Sequence, residues 1–162
     1  MLFLVQNMKF SSSEDIEASA EAVFAALCDH AEFQQQMRRS GVSVVRMDEL
    51  STIGPGMSWE IAFKFRGPCA QIFSQVEKLK PEQSILISYE SDGLSGDAVV
   101  NVVALAPKRA RLMLSVELKP KNLSARLLLQ SMRFASNLLD RDFEARIRDL
   151  ATNIETVHHA SM

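Results

Sequence analysis

The chain has 162 residues, of which 47% are hydrophobic and 23% are charged, and its formal net charge is −2. A chain of this size can bury the core of one domain, and its composition excludes extended disorder. The balance of charge argues against a nucleic-acid partner, because such proteins cluster Lys and Arg against the phosphates.

The two ends of the chain are expected to carry no targeting signal and no membrane anchor. Residues 1–7 are apolar, but they lack a basic segment and are too short for a signal peptide. No stretch reaches the roughly 20 apolar residues that a membrane-spanning helix requires. We therefore predict an N-terminal extension over residues 1–7, a single domain over 8–157 and a tail over 158–162, with a cytoplasmic location. Cys28 and Cys69 could pair, but two reduced core thiols are the favoured interpretation.

The N-terminal part of the chain predicts one strand followed by two short helices. Residues 9–17 form a weak first strand. Ser19 is a favourable helix N-cap, and Glu21 falls in the first turn, where the helix dipole favours an acid. A first helix is therefore predicted to begin at Ala20, and a second short helix is predicted over residues 31–39.

Six further strands are predicted from alternating hydrophobicity between turn residues. Trp59 and Phe63 alternate with polar side chains, and so do Leu112 and Leu114. Every glycine and proline is assigned to a boundary between segments, so residues 93–96 are predicted to form a loop. The short connections favour antiparallel hairpins. The six predicted strands are 42–48, 57–66, 69–80, 84–91, 98–106 and 111–119.

The C-terminal part of the chain predicts one long helix. No glycine or proline occurs over residues 122–157, and apolar residues from Leu128 to Val157 recur at helical spacing. Such a helix is about 50 Å long at roughly 1.5 Å per residue. Its apolar stripe needs a partner surface, and the sheet is the only large one that the sequence offers.

Two short motifs accompany this order of elements. Residues 16–24, Ile-Glu-Ala-Ser-Ala-Glu-Ala-Val-Phe, and residues 54–59, Gly-Pro-Gly-Met-Ser-Trp, lie at the strand-to-helix opening and at the turn into the third strand. Together with Leu-Cys-Asp at 27–29, they resemble the helix-grip superfamily. That superfamily includes START-related lipid-binding domains, the birch pollen allergen family and the bacterial polyketide cyclase/dehydrase-like proteins called SRPBCC proteins. Residues 33–37 depart from the pattern, because they lack the tryptophan that the family usually carries there.

The resemblance implies an α+β helix-grip fold, in which a curved seven-stranded antiparallel sheet and two short helices surround a long C-terminal helix lying over the concave face. It also implies a cavity between sheet and helix that binds a small hydrophobic ligand, lipid-like or polycyclic. Aromatic and methionine side chains suit the walls of such a cavity, although any one of them, taken singly, is more often part of a plain core. The predicted ligand-binding residues are Trp59, Phe63, Phe65, Tyr89, Met113, Leu128, Met132, Leu139 and Arg146.

Arg146 is the one charged member of that set. A count of 100° per residue from Leu128 returns Arg146 to the centre of the apolar stripe, with Asp142 one turn earlier as a partner. Two interpretations remain open: a snorkelling residue at the edge of the stripe, or a polar anchor for a ligand carboxylate.

Two other functions remain as alternatives to simple binding. A polyketide cyclase/dehydrase-like enzyme would need a positioned acid or base in the cavity. Tyr89, His30 and Glu14 are the candidates, but they make no convincing catalytic set, and His30 is better explained as a residue of a helix C-terminal turn. A groove for a protein segment is the third interpretation. The sequence shows no spacing of metal ligands, so we predict no metal and no cofactor, and it indicates no oligomeric state.

Overall fold

The computed structural model describes residues 7–64 and 69–160, with the side chains of all these residues except 63, 64 and 69. The strands are β1 (Met8–Ile16), β2 (Ser43–Arg46), β3 (Ser58–Lys64), β4 (Cys69–Lys80), β5 (Ser84–Glu90), β6 (Leu94–Ala106) and β7 (Arg109–Pro120). The helices are α1 (Ala20–Leu27), α2 (His30–Arg39), α3 (Leu123–Arg133) and α4 (Ser136–Ala160).

The seven strands form one antiparallel sheet in the order β1-β7-β6-β5-β4-β3-β2. Register shifts between Val76 and Lys78 in β4 and between Ala104 and Ala106 in β6 interrupt the ladder, and such bulges bend a sheet. The α+β helix-grip architecture predicted from the sequence is therefore confirmed. Among the described residues, no helix is both long enough and apolar enough to cross a membrane.

The ends of the short helices follow from local side-chain chemistry. Ser19 and Asp29 cap α1 and α2, each by accepting a hydrogen bond at 3.1 Å from the backbone N–H three residues later. At the end of α2, Gly41 has a φ of 86°, and the Val42 N–H bonds to the carbonyl of Met37 at 3.1 Å. This reversal is a Schellman motif, which favours glycine at the left-handed position.

The predicted long C-terminal helix is divided in two at residues 134 and 135. The N–H groups of Phe134 and Ala135 bond to the carbonyls three residues earlier, on Ser131 and Met132, which tightens the chain by a 3₁₀ turn. As a result α3 packs against β7, whereas α4 packs against β1. The prediction of one continuous helix was therefore wrong. The sequence did not indicate the break, because no proline or glycine occurs there.

β6 is longer than the sequence predicted and contains Gly96 in its interior. The strand begins at Leu94, and Gly96 pairs with Tyr89 on β5 and with Leu118 on β7. The assignment of residues 93–96 to a loop was therefore wrong for 94–96. A glycine inside a strand marks a close approach by another group, and Tyr89 supplies that group, as described below.

The connection from β2 to β3 is held by the carboxylate of Asp48. It accepts hydrogen bonds from the guanidinium of Arg46 at 2.6 and 2.7 Å and from the N–H groups of Leu50 and Ser58 at 2.8 Å. The bonds from Arg46, and then those from the two backbone donors, hold the pKa of Asp48 well below its ordinary value. The network ties the edge strand β2 to its neighbour.

Asp48→Asn is expected to lower the midpoint of thermal unfolding at pH 7, because a neutral amide cannot replace the charge-assisted bonds from Arg46. In the native protein, the stabilisation by this carboxylate is complete above the unfolded pKa of about 4 and is lost as the pH falls through the lower folded pKa. Thermal unfolding followed by circular dichroism from pH 7 to pH 2 should therefore show the two proteins converging in acid. The exposed Asp140→Asn serves as the control; a native midpoint for Asp48→Asn at pH 7 would contradict this role.

Candidate ligand-binding site

One face of the sheet is covered by helices and is called the concave face here. The ladder aligns Leu112 on β7 with Glu14 on β1 and Val102 on β6, which places these side chains on the same face. α4 lies along β1 on this face: the rings of Phe143 and Phe10 have centroids 5.8 Å apart. Alternate residues of each strand therefore point towards the space between sheet and helices.

One end of the concave face is closed by a dry core. α1 contributes Val23 and Phe24, and the C-terminal half of α4 contributes Ala151 and Ile154, all buried. The residues buried with them lie on the strands, apart from Met57, which directly precedes β3: Ile16, Val44, Met57, Trp59, Val76, Ile85, Val102, Ala110 and Leu112. This end is filled by the protein's own side chains.

Trp59 belongs to this closed end. Its side chain is buried, and its indole Nε1–H donates a hydrogen bond of 2.9 Å to Oε1 of Gln34 on α2. The bond satisfies the one polar atom of the indole and fixes α2 over the sheet. The sequence predicted Trp59 as a ligand-binding residue, whereas its position is that of a core residue that holds α2.

Gln34→Met is expected to lower the free energy of unfolding by about 1–2 kcal/mol, because it leaves the buried indole N–H without an acceptor. Urea denaturation followed by circular dichroism measures this change. The neighbouring exposed Gln35→Met should have no effect. In a Trp59→Phe background the effect of Gln34→Met should disappear, and an undiminished effect there would show that the bond is not its cause.

The other end of the concave face is apolar but incompletely buried. Six side chains at this end are half-buried, and none of them belongs to the closed core or to the residues that pack directly against that core. They are Phe10, Ile72, Ala98, Leu114, Val116 and Leu118. The register makes these side chains neighbours, since Phe10 pairs with Val116 and Val116 with Ala98. We call these six residues the open half of the concave face.

The helices leave the middle of the open half uncovered. α4 packs chiefly on β1 and α3 on β7, while no helix in the described part of the chain packs extensively on β4 or β5. Leu128 and Met132 lie on the side of α3 that buries Leu129. Leu139 lies one turn before Phe143 on the same side of α4. Leu128, Met132, Leu139 and Phe143 are all half-buried. The open half is thus a concave apolar surface bordered by partly exposed helical side chains.

Tyr89 lies at the margin of the open half. Its ring lies over Gly96, and its hydroxyl donates a hydrogen bond to the backbone carbonyl of Glu117. Burial, with further contributions from the charges of Asp97 and Glu117, raises the pKa of Tyr89 above its ordinary value. The hydroxyl therefore stays protonated and is already engaged with the backbone, which does not suit a general acid or base.

The remaining predicted residues lie in different places. Met113 pairs with Ser13 and Asn101 on the opposite, convex face and is 41% exposed, so a ligand on the concave face would not contact it. The backbone of Phe63 pairs with Ala70, but its side chain, like the whole of Phe65, lies outside the described residues.

Arg146 is exposed, because the buried stripe of α4 runs through Ile147 and not through Arg146. α4 buries Ile147, Ala151 and Ile154, and Arg146 precedes the first of these by one residue. α3 buries Leu129, and a count of 100° per residue from Leu129 reaches Ile147. The predicted stripe, counted from Leu128, was therefore displaced by one residue from the buried one. Arg146 therefore does not point at the concave face from the centre of an apolar stripe, as the sequence predicted.

The candidate catalytic residues do not converge. Glu14 is on the concave row of β1, and its Oε1 lies 3.5 Å from Nε of Arg148 on α4. His30 opens α2 and does not lie in the last turn of α1, so the explanation by a helix C-terminal turn was wrong. Among the described residues, no three His, Cys, Asp or Glu side chains are grouped to hold a metal ion.

Two surface depressions lie away from the open half. One, of about 720 Å³, is lined by Glu60, Phe73, Lys121 and residues 90–93 at the ends of β4 and β5. The other, of about 580 Å³, lies beside the β4–β5 turn and includes Met113. Both are broadly open to solvent, and neither lies between the sheet and α4, so they do not mark the cavity that the resemblance implies.

Comparison with known proteins identifies the fold. Neither a scan against family models nor a search of the curated proteins gives a match. Solved structures do match: the Zhui aromatase/cyclase from Streptomyces sp. R1128 has 13% sequence identity and a TM-score of 0.69, over 93% of this chain and 94% of that one. A point mutant of norcoclaurine synthase from Thalictrum flavum, in complex with a transition-state analogue, has 11% identity and a TM-score of 0.70 over 98% and 99%. A START superfamily protein from Mycobacterium smegmatis has 14% sequence identity and a TM-score of 0.58, over 88% of this chain and 98% of that one. The chain has the START-like helix-grip fold, as its motifs predicted.

None of the six residues of the open half was among the predicted ligand-binding residues. Ala98 lies in a segment that is apolar on both faces, so the sequence alone does not show which residues point inward. The alternation of β7 does indicate an inward row, and the structure confirms it, with Leu112 buried and Leu114, Val116 and Leu118 on the same face. Pairing β6 with that inward row of β7 in the correct register would have identified Ala98, which lies opposite Val116.

Proposed function

We propose that the protein binds a small hydrophobic ligand, lipid-like or polycyclic, on the open half of the concave face beneath α3 and α4. The observation that carries the proposal is the contrast between the two ends of one apolar surface. One end is completely buried by α1 and α4, while the other, equally apolar, stays half-exposed although helices border it.

Apolar side chains in such a recess favour a ligand over permanent hydration. Removing apolar surface from water contributes roughly 25 cal/mol per Å², and the six strand residues of the open half offer no charged group. Binding sites for small molecules are mostly apolar with few polar groups. The half-buried Leu128, Met132 and Leu139 border the recess, and methionine adapts its shape to different ligands.

The matching structures support this proposal in part. Two of them are an aromatase/cyclase and a norcoclaurine synthase in complex with a transition-state analogue. At identities of 11–13% these names establish the fold and carry no activity over to this chain. A cyclase-like function remains the alternative, and it would require an acid or base that contacts the ligand.

The most informative test is native mass spectrometry of the protein purified from the organism that makes it. The proposal expects a bound species of defined mass that is lost on denaturation and extracts into organic solvent. Repeated preparations without such a species, combined with no binding of an uncharged probe such as N-phenyl-1-naphthylamine, would contradict the proposal. Conversion of the extracted compound when it is returned to the protein would favour the enzyme.

A further inference from the structure

Four large apolar side chains project into solvent from α3, from the turn that follows it and from the start of α4. Their exposures are 68% for Leu123, 55% for Leu127, 92% for Phe134 and 64% for Leu138. They are separated by four, seven and four residues, a spacing that repeats on one side of a helix. We call these four residues the outer stripe.

The outer stripe lies on the opposite side from the residues that the helices bury. α3 buries Ala125 and Leu129. At 100° per residue, Ala125 lies about 160° around the helix from both Leu123 and Leu127, and Leu129 lies about 120° from Leu123 and about 160° from Leu127. α4 buries Ile147, which lies about as far around from Leu138. The helices therefore carry a second apolar surface that the fold does not use, and contiguous exposed apolar surface of this kind marks an interaction site.

The charges beside the α3 part of the outer stripe have one sign. Residues 119–139 contain two lysines and two arginines and no acid, and the first acids beyond them are the exposed Asp140 and Asp142 on α4. The lysines, Lys119 and Lys121, lie within 3.4 Å of Glu117 and 2.9 Å of Glu90, so their charges are compensated. Arg126 and Arg133 form no ion pair among the described residues; Arg133 donates only a long bond, 3.4 Å, to the backbone carbonyl of Asn7. Seven residues apart, the two arginines flank the same side of the stripe.

This combination indicates the chemistry of the partner. A row of leucine and phenylalanine flanked by arginine is typical of a helix that lies in the surface of a bilayer. Its apolar side chains enter the acyl chains, and its cations contact the lipid phosphates. A second copy of the chain fits less well, because a two-fold interface would bring the uncompensated arginines of both copies together.

We propose that the outer stripe docks the protein on an anionic lipid bilayer, with Arg126 and Arg133 contacting the headgroup phosphates. The stripe lies on the outer side of the helices whose inner side borders the open half. Docking would thus place the recess beside the bilayer, but the proposal does not depend on what the recess binds.

The test is sedimentation with vesicles of phosphatidylcholine containing phosphatidylserine, compared with vesicles of phosphatidylcholine alone. The full chain should bind the anionic vesicles, and added salt should weaken this binding. Arg126→Gln and Arg133→Gln should each weaken it about five-fold, as expected for the loss of one cation at an anionic surface. The double variant Leu127→Ser/Phe134→Ser should abolish it; both side chains are exposed, so the fold should persist, and circular dichroism checks this.

Matched controls separate this surface from general stickiness. Lys108→Gln removes an exposed cation at the β6–β7 turn, and Leu105→Ser removes an exposed leucine at 42% exposure on the same hairpin. Both should bind vesicles as the native chain does. No vesicle binding by the native chain, or equal losses in the controls, would overturn the proposal. So would sedimentation equilibrium showing a dimer that Leu127→Ser/Phe134→Ser dissociates, with no vesicle binding, because the occupant would then be a second copy.

Discussion

Gly96→Ala is expected to lower the free energy of unfolding by about 2–4 kcal/mol, the sum of overpacking and a lost hydrogen bond. A Cβ at position 96 would lie 2.5 Å from the hydroxyl oxygen of Tyr89 and closer still to the backbone oxygen of Glu117. Neither group can move freely, because Gly96 sits in the middle of the sheet, paired with both β5 and β7. Urea denaturation measures the change, and the melting temperature should fall by on the order of 10 °C.

Gly54→Ala is the matched control for this substitution. No heavy atom lies within 4 Å of a Cβ built at Gly54, so its stability should stay within about 0.5 kcal/mol of the native value. Tyr89→Phe, which removes only the hydroxyl, should cost about 1 kcal/mol. If Gly96→Ala were as stable as Gly54→Ala, the packing of the Tyr89 ring over Gly96 would be wrong.

Ala98→Phe is expected to weaken the binding of an uncharged apolar probe at least ten-fold while leaving the protein folded. Ala98 is the smallest side chain of the open half and lies between Val116 on β7 and Ile87 on β5. A phenyl ring there would occupy the space that the proposed ligand takes. Because the site is half-exposed, the added ring has room, and it should stabilise the empty protein or leave its stability unchanged.

Val99→Phe is the matched control for the filled site. Val99 is the next residue on β6, and its side chain points to the convex face, where it pairs with Leu86 and Ser115. Titration of N-phenyl-1-naphthylamine followed by fluorescence compares the two variants. Equal affinities of Ala98→Phe and the native chain would place the probe elsewhere, and the two surface depressions would then be the regions to examine.

The strands and short helices were predictable because their signals are local. Ser19 caps α1 through a bond to the N–H of Ala22, and the alternation around Leu112 and Leu114 follows from the period of a strand. Both features depend on residues within a few positions of one another. The overall fold could then be inferred from the order of these elements and two short motifs.

The features that were missed depend on tertiary contacts. Gly96 was assigned to a loop because glycine usually interrupts a strand, and only the ring of Tyr89 packed over it explains its place inside β6. The division of the last helix arises because α3 and α4 pack against different strands. Arg146, predicted to point inward, is exposed because the stripe that the tertiary contacts bury runs through Leu129 and Ile147, one residue away from the predicted stripe.

The candidate site was predictable only in kind. The helical residues Leu128, Met132 and Leu139 are half-buried beside the residues that α3 and α4 bury, whereas Trp59 lies in the closed core and Met113 on the convex face. Aromatic and methionine side chains were chosen by residue type, and type does not distinguish a cavity wall from a core. The pairing register does, because it determines which alternate residues share a face.

Methyl NMR of the protein with N-phenyl-1-naphthylamine tests the central claim most directly. Selective labelling of isoleucine, leucine and valine methyl groups reports on both ends of the concave face in one titration. Binding to the open half should shift the signals of Ile72, Leu114, Val116 and Leu118 and leave those of the closed core, such as Ile16 and Leu112, nearly unchanged. Shifts confined to the outer stripe, to the convex face or to no methyl group at all would contradict a ligand site on the concave face.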